Sequence, residues 1–323
     1  MAKHEHEHGE DDEHGHSGHE HEEDEEEFNL EKYRKAGKVA AEVLDDARKL
    51  MMVGESVLEI AETIEAMIKE KGADIGFPIN ISINSDAAHY TPENGCTREL
   101  GEKDLVKLDI GTHVDGFIGD AAITVDLSGE YAKLVEASEK ALENAAALLK
   151  PGCETSAIGA MVEETIKGYG YKPISNLTGH SINRWQVHSD ISIPNIKTKD
   201  SVKLEEGMVI ALEPFATDGI GRIKEGQDVE IFSLVAEVPV RMRETRRLMN
   251  YIKKEFQILP FAERWLFKEF KSKLLLNAAL KELVMSGALQ QYPVLREEEG
   301  GMVSQAEATF YITADGAERL TKK

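Results

Sequence analysis

Residues 107–125 read KLDIGTHVDGFIGDAAITV, two runs of alternating character joined by Asp115-Gly116. An Asp-Gly pair between such runs predicts a two-residue hairpin loop, because both turn positions need positive φ and these residues tolerate it. With that loop, Val114 opposes Phe117, Gly111 opposes Asp120 and Asp109 opposes Ala122. One face then carries Leu108, Ile110, Val114, Phe117, Ala121 and Ile123, all apolar, and the other Asp109, Gly111, His113, Ile118 and Asp120. Asp109 and Asp120 become diagonal neighbours within reach of a shared ion, with Gly111 expected to leave room between them. Two carboxylates held this close repel unless a positive group joins them. Taken alone, the pattern equally describes the solvent-facing side of an amphipathic hairpin.

Upstream, Phe28 to about Met52 predicts a helix with Leu44, Ala47 and Met51 on one face. Ser56-Val-Leu-Glu59 is a capping box, and Val57, Ile60, Ala61, Ile64, Met67 and Ile68 keep helical spacing up to Gly72. Phe77 to Asn84 alternates like a strand. From Gly54 to Gly152, 98 residues on, the plan recurs. Tyr131 to Leu149 predicts a helix ended by Lys150-Pro151-Gly152, and a second runs from about Ser156 to Ile166. At that offset Gly54/Gly152, Ile60/Ile158, Glu65/Glu163, Ile68/Ile166, Lys69/Lys167 and Gly72/Gly170 are identical pairs. A helix–helix–strand half used twice predicts a pseudo-twofold α+β domain, which places a site between its halves.

The chain has 323 residues, 41% apolar and 30% charged, which describes a globular, charge-rich protein. Its formal net charge is −22. Residues 1–27 hold 13 acidic residues against Lys3 alone, a net of −12, and the remaining 47 acidic and 37 basic residues leave −10. A moderately acidic body argues against nucleic-acid backbone binding as the main task, and no specific DNA contact is expected. Seven of eleven histidines lie in residues 1–27, where His/Glu-rich sequence predicts a disordered tail before a folded domain over 28–323. Two cysteines, Cys96 and Cys153, exclude a disulfide scaffold and fit a reducing, cytoplasmic setting. The longest apolar runs, such as Met208 to Leu212, fall far short of the roughly 20 residues of a spanning helix, so no membrane association is expected. The start, Met-Ala-Lys-His-Glu-His, has no apolar core of a secretory signal.

Three further segments supply ligand-type side chains. His180 lies in Asn176-Leu-Thr-Gly-His-Ser-Ile182, and Glu213 ends the apolar run Met208 to Phe215. Glu307 sits in the strand-like Ser304 to Ile312. A carboxylate inside a core strand is costly unless a metal or cation joins it. Oxygen ligands with one imidazole suit Mn, Fe, Co or Zn, and such a set can hold two ions.

The order Asp109, Asp120, His180, Glu213, Glu307 resembles the five-ligand site of the pita-bread metallopeptidases. The contexts DAAHYTPENG at 86–95, KLDIGTHVDGFIGDAA at 107–122, NLTGHSI at 176–182 and EEGMVIALEPFA at 205–216 are most similar to the methionine aminopeptidases. The resemblance covers about 29–323. The long interval between Glu213 and Glu307, with a mostly helical stretch at 245–300, resembles the type 2 enzymes in their archaeal style. The short His/Glu-rich tail departs from the long polybasic and acidic region of the eukaryotic ones.

The resemblance implies a pita-bread fold, a curved antiparallel sheet between duplicated halves with a helical insertion at 245–300. It implies two divalent ions (Co, Mn, Fe or Zn), with Asp120 and Glu307 bridging, Asp109 on one ion, and His180 with Glu213 on the other. Glu213 would also move the water's proton. His89 and His188 would contact the substrate peptide, His89 donating to the amide or stabilising the tetrahedral intermediate and His188 supporting the carbonyl oxygen. Phe77 would wall the methionine pocket, and Tyr292 and Leu295 the cleft beside the second residue. The implied reaction is hydrolytic removal of N-terminal methionine from nascent polypeptides whose second residue is small, by a cytoplasmic monomer. His113 receives packing or hydrogen bonding to a neighbouring group. Two alternatives stay open: a Pro-directed, prolidase-like peptidase, and a non-catalytic ribosome-associated relative. The basic cluster Arg241, Arg243, Arg246, Arg247, Lys253 and Lys254 keeps a transient ribosome contact open.

Overall fold

The computed structural model describes residues 28–322, so the His/Glu-rich tail lies outside the described residues. Helices α1 (Leu30–Ala47) and α2 (Val57–Glu70) precede strands β1 (Asp74–Ile83), β2 (Asp86–Ala88), β3 (Leu105–Val114) and β4 (Phe117–Asp126). Helices α3 (Ala132–Ala146) and α4 (Thr155–Gly168) then precede β5 (Lys172–Pro173), β6 (Thr178–Ser181), β7 (Ser192–Pro194), β8 (Val209–Leu212), β9 (Phe215–Thr217) and β10 (Ile223–Leu234). The chain continues through α5 (Arg243–Glu255), β11 (Phe261–Ala262), α6 (Glu263–Leu266) and α7 (Lys273–Met285). It closes with β12 (Leu289–Glu297), β13 (Val303–Gln305), β14 (Ala308–Ile312) and β15 (Ala317–Arg319).

The first helix begins later than its apolar spacing predicts, because the Asn29 side chain accepts from Lys32 N and caps it at Leu30. Its far end tightens into a 3₁₀ turn at Arg48–Leu50 before Met51 re-enters the core. Ser56 caps α2 as the sequence predicts, accepting from Glu59 N.

The duplication is visible in hydrogen bonds. Gly54 N donates to Leu100 O and Val57 N to Arg98 O, while in the second half Gly152 N donates to Leu204 O and Thr155 N to Val202 O. Gly54, Gly72, Gly152 and Gly170 all have positive φ, which explains why glycine recurs at both pairs. Asp109 follows Leu100, and Glu213 follows Leu204, by the same nine residues. Asp109 in β3 and Glu213 just past the end of β8 therefore occupy corresponding places in the two halves.

All strand pairings are antiparallel. The first half supplies the order β1-β3-β4, and the second β15-β14-β8-β6-β7. An isolated bridge between Ala122 and Glu307 joins β4 to the β13–β14 segment and so seams the halves together. Helices α1 and α2 bury Val43, Ile60 and Ile64 against Ile79, Ile81 and Leu108, while α3 and α4 bury Leu134 and Ile158 against Ile210 and Phe310. At about 25 cal/mol per Å² of apolar surface removed from water, these two helix layers stabilise one face of the sheets and leave the other for chemistry.

Between β10 and β12, three helices pack Leu248, Ile252, Leu276 and Leu280 around Phe261 and Phe270 in a core of their own. Their last helix ends at Met285, so the expected helical stretch at 245–300 stops short, and residues 289–297 form a strand paired with β10. Tyr292 and Leu295 therefore stand on an inner strand, between β10 and β2, and not on a helix. The basic residues around α5 are mostly engaged: Arg247 pairs with Glu269, Lys253 with Glu237, and Arg246 with backbone carbonyls. Among the described residues, no helix is long and apolar enough to cross a membrane.

Candidate metal centre

The hairpin register matches the sequence reading pair for pair, Val114 opposite Phe117, Gly111 opposite Asp120 and Asp109 opposite Ala122. Asp115 and Gly116 take φ of 51° and 85°, as the tight loop requires. Its polar face does not meet solvent. His113, Ile118 and Asp120 are buried and Asp109 is half-buried, because β13 and β14 cover that side. Gly111 does leave room, but for Phe77 and not for an ion. A Cβ on Gly111 would lie 2.3 Å from the Phe77 ring, which pairs across β1–β3 at that position.

Glu213 and Glu307 reach the site from breaks in strands. Pro214 has no N–H, so the ladder between β8 and β14 stops at Leu212 opposite Ala308 and resumes as β9 with β13. Glu213 and Glu307 fall in that gap, where their side chains turn inward. Thr309 fixes Asp120 from beneath, donating to its carbonyl at 2.7 Å and accepting from its N–H at 2.8 Å.

Asp120, His180 and Glu307 bring ligand atoms within 4.8 Å of one another. His180 Nε2 lies 3.6 Å from Asp120 Oδ2 and 3.4 Å from Glu213 Oε1. The other ring nitrogen, Nδ1, faces the Ser181 carbonyl at 3.3 Å. A carbonyl only accepts, so Nδ1 carries the proton and Nε2 turns its lone pair toward two carboxylates. Asp109 Oδ1 and Asp120 Oδ1 are buried without any hydrogen-bond partner. A cluster of acceptors with orphaned oxygens is what a divalent cation satisfies, and the donor set of four carboxylates and one imidazole fits one.

Electrostatics agree. Burial pushes Asp109 up to about 7, against the pull of the Gln305 amide. Burial and then the neighbouring carboxylates raise Asp120, Glu213 and Glu307 well above the ordinary range. Burial, reinforced by His188, lowers His180 to about 3. These carboxyls are held neutral in the metal-free fold, so their folded pKa values exceed the unfolded ones. Their contribution to stability is full below the unfolded range, about pH 4, and is lost as pH rises through their raised values, about 7 for Asp109. The melting temperature gained on adding divalent metal to chelator-treated protein is therefore expected to widen between pH 5.5 and pH 8. Thermal melts across that window check the sign; a gain that shrinks with pH would contradict it.

The cluster floors a cavity of about 240 Å³ whose walls include Phe77, His89, His188, Tyr292 and Leu295. Every residue singled out for the site by sequence therefore lines one space. His89 Nδ1 faces the Pro293 carbonyl at 3.3 Å, and its ring meets Tyr292 edge-on at 5.7 Å. His188 is solvent-exposed at the mouth, its ring 4.4 Å from His180. His113 stands apart. Its Nδ1 accepts from Gly116 N at 3.2 Å and its ring packs on Trp185, so it secures the hairpin tip. Gln305 escaped the sequence reading. Its Nε2 donates to Glu307 at 3.1 Å and Asp109 at 3.4 Å, spanning the cluster. The signal was its place two residues before Glu307, the period of a strand.

The profile described as metallopeptidase family M24 matches residues 31–238. A methionine aminopeptidase of Methanocaldococcus jannaschii is 45% identical over 292 residues, covering 90% of this chain and 98% of that one. Among solved structures, a thermophilic Arx1 superposes with a TM-score of 0.78 at 19% identity, covering 90% of both chains. A methionine aminopeptidase from Thermotoga maritima superposes with 0.67 at 22% identity, covering 91% of this chain and 96% of that one. These likenesses identify the curled sheet between duplicated halves as the pita-bread fold. With a buried carboxylate–imidazole cluster at its centre and the family profile matched across that core, the chain belongs to metallopeptidase family M24.

Proposed function

We infer that this protein is a methionine aminopeptidase, a metal-dependent hydrolase that removes N-terminal methionine. The carrying observation is the donor cluster at the floor of a small apolar-walled cavity, in a chain matched over 90% of its length to relatives of that name. A space of about 240 Å³ suits one side chain and its terminal amine, being smaller than a typical ligand pocket. The rest of a peptide has a wider cleft of about 760 Å³ beyond His89, His188 and Tyr292. Nascent polypeptides with a small second residue are the substrates in this reading. It assigns a monomer to the cytoplasm, where such chains emerge. Among its α5 basic residues the pairing with carboxylates weakens an electrostatic case for a ribosome contact.

Family M24 works with divalent metal; the reading takes two ions (Co, Mn, Fe or Zn), held by Asp109, Asp120, His180, Glu213 and Glu307. When bound, they supply Lewis-acid polarisation of the scissile carbonyl and a lowered pKa for the attacking water. Glu213, ionised once the ions are held, would accept that water's proton and return it to the leaving amine. In this scheme His89 acts as an acceptor, where the resemblance implied a donor to the amide or a stabiliser of the tetrahedral intermediate. Its Nδ1 proton is committed to Pro293, and burial with His188 nearby lowers it to about 4, so neutral Nε2 offers a lone pair to the scissile N–H. His188 supports the carbonyl oxygen from the mouth. Phe77 walls the thioether pocket. A panel of Met-X peptides against X-Pro dipeptides, each with Mn, Fe, Co and Zn, tests the reading. Cleavage of X-Pro without Met-X would favour a prolidase-like enzyme, and no cleavage of either a non-catalytic relative.

Tyr292 and Leu295 narrow the cleft beside His89. Replacing Tyr292 by Ala is expected to raise the rate on Met-Leu relative to Met-Gly peptides by about 10–100-fold, as a clash of about 1–3 kcal/mol is relieved. An unchanged ratio would place the restriction elsewhere.

A further inference from the structure

His89 has a φ of +66°, in the left-handed region, directly after β2 ends at Ala88. A non-glycine residue keeps that conformation only where its surroundings over-determine it. Two restraints act on the ring, the Pro293 carbonyl and the edge of Tyr292. A third acts on the backbone just downstream. Arg264 of α6 is 6% exposed, and its Nη1 donates to Thr91 Oγ1 at 2.6 Å and to the Pro92 carbonyl at 3.2 Å. Its Nη2 donates to Glu65 in α2, which also accepts from Trp265 Nε1 at 2.9 Å. One buried guanidinium thus ties a helix of the first half to the two residues that follow the His89–Tyr90 step.

The arrangement is costly. Arg264 Nε is buried without a partner, and apolar side chains of similar size are commonly cheaper to bury than a buried ion pair. The expense is intelligible if the contact with Thr91 and Pro92 has a use. We propose that Arg264 is a positioning residue for His89. Held by Glu65, it fixes Thr91 and Pro92 and thereby keeps His89 at positive φ with its ring on the cavity. The segment between β10 and β12 then contributes to catalysis through His89, while β12 itself walls the cleft with Tyr292 and Leu295. The proposal rests on the reading of His89 as a group that meets the substrate. The rival account makes Arg264 a peg that only docks α6 onto the body.

Removing Arg264 outright risks misfolding, so the test uses Thr91→Val, which deletes one acceptor and leaves the ion pair with Glu65. In the metal-loaded full chain, Thr91→Val is expected to lower kcat by about 10-fold at unchanged metal content, with KM within about twofold, as expected of a small misplacement. In a His89→Ala background the same substitution is expected to change kcat by less than twofold, because the residue it positions is gone. Arg264→Lys, which reaches Thr91 or Glu65 but not both, should show the same dependence on His89. Equal fractional losses in both backgrounds, or a lower melting temperature with unchanged kcat, would assign Arg264 to docking alone and overturn the proposal. If His89→Ala itself costs no activity, the reading of His89 falls first, and this inference with it.

Discussion

Asp120→Ala is expected to leave the protein with little bound divalent metal and to abolish most turnover. Asp120 lies at the centre of the cluster, 3.6 Å from His180 Nε2 and with a ligand atom within 4.8 Å of one on Glu307. Its Oδ1 is one of two buried carboxylate oxygens there with no partner. Residues that merely orient a ligand already cost about 10–100-fold in affinity or activity when changed, so a central ligand should cost more. The same substitution carries a second, opposite signature. It removes one of four carboxylates, and with it part of the repulsion that adds to burial in raising Glu213 and Glu307. In chelator at pH 8 the variant is therefore expected to melt at or above the metal-free wild type, although it melts below the metal-loaded one. Elemental analysis of the purified protein and melts with and without chelator read both effects. Retention of full metal and rate would remove Asp120 from the centre of the site.

His89→Ala is expected to behave differently, keeping its metal and losing about 10²–10⁴-fold in kcat, the range for a lost acid–base or hydrogen-bonding group. The separation follows from geometry, since His89 lines the cavity but is absent from the ligand-distance cluster. With His89 lowered to about 4, its own titration lies below the working range. Any inflection that wild-type kcat shows between pH 5.5 and 8 should therefore persist in the variant. Loss of metal on purification would instead make His89 a ligand.

Much of this was legible from local chemistry. The hairpin register at Asp115-Gly116, the Ser56 cap and the paired helices at a 98-residue offset are set by residues within a turn or two of one another. Turn conformation and period are short-range properties, so a sequence carries them openly. The ligand-type residues could be named for the same reason: a carboxylate in an apolar run is conspicuous wherever the run folds. Their family resemblance then tied them together before any geometry was known.

Burial was not legible, because it depends on what arrives from elsewhere. The polar face of the β3–β4 hairpin reads as half-solvated until Gln305, 196 residues from Asp109, covers it. Gly111 looks like space for an ion until the Phe77 ring fills that space from the neighbouring strand. His113 shares a face with two acidic residues of the site, yet the hairpin's length carries it to the tip, against Trp185. Arg264, in a short helix with no motif of its own, meets Thr91 across 173 residues. Composition and spacing determined the kind of chemistry and the elements that carry it. Only the folded chain decided which polar groups lose their water together, and it is that shared desolvation which turns scattered carboxylates into a cation site.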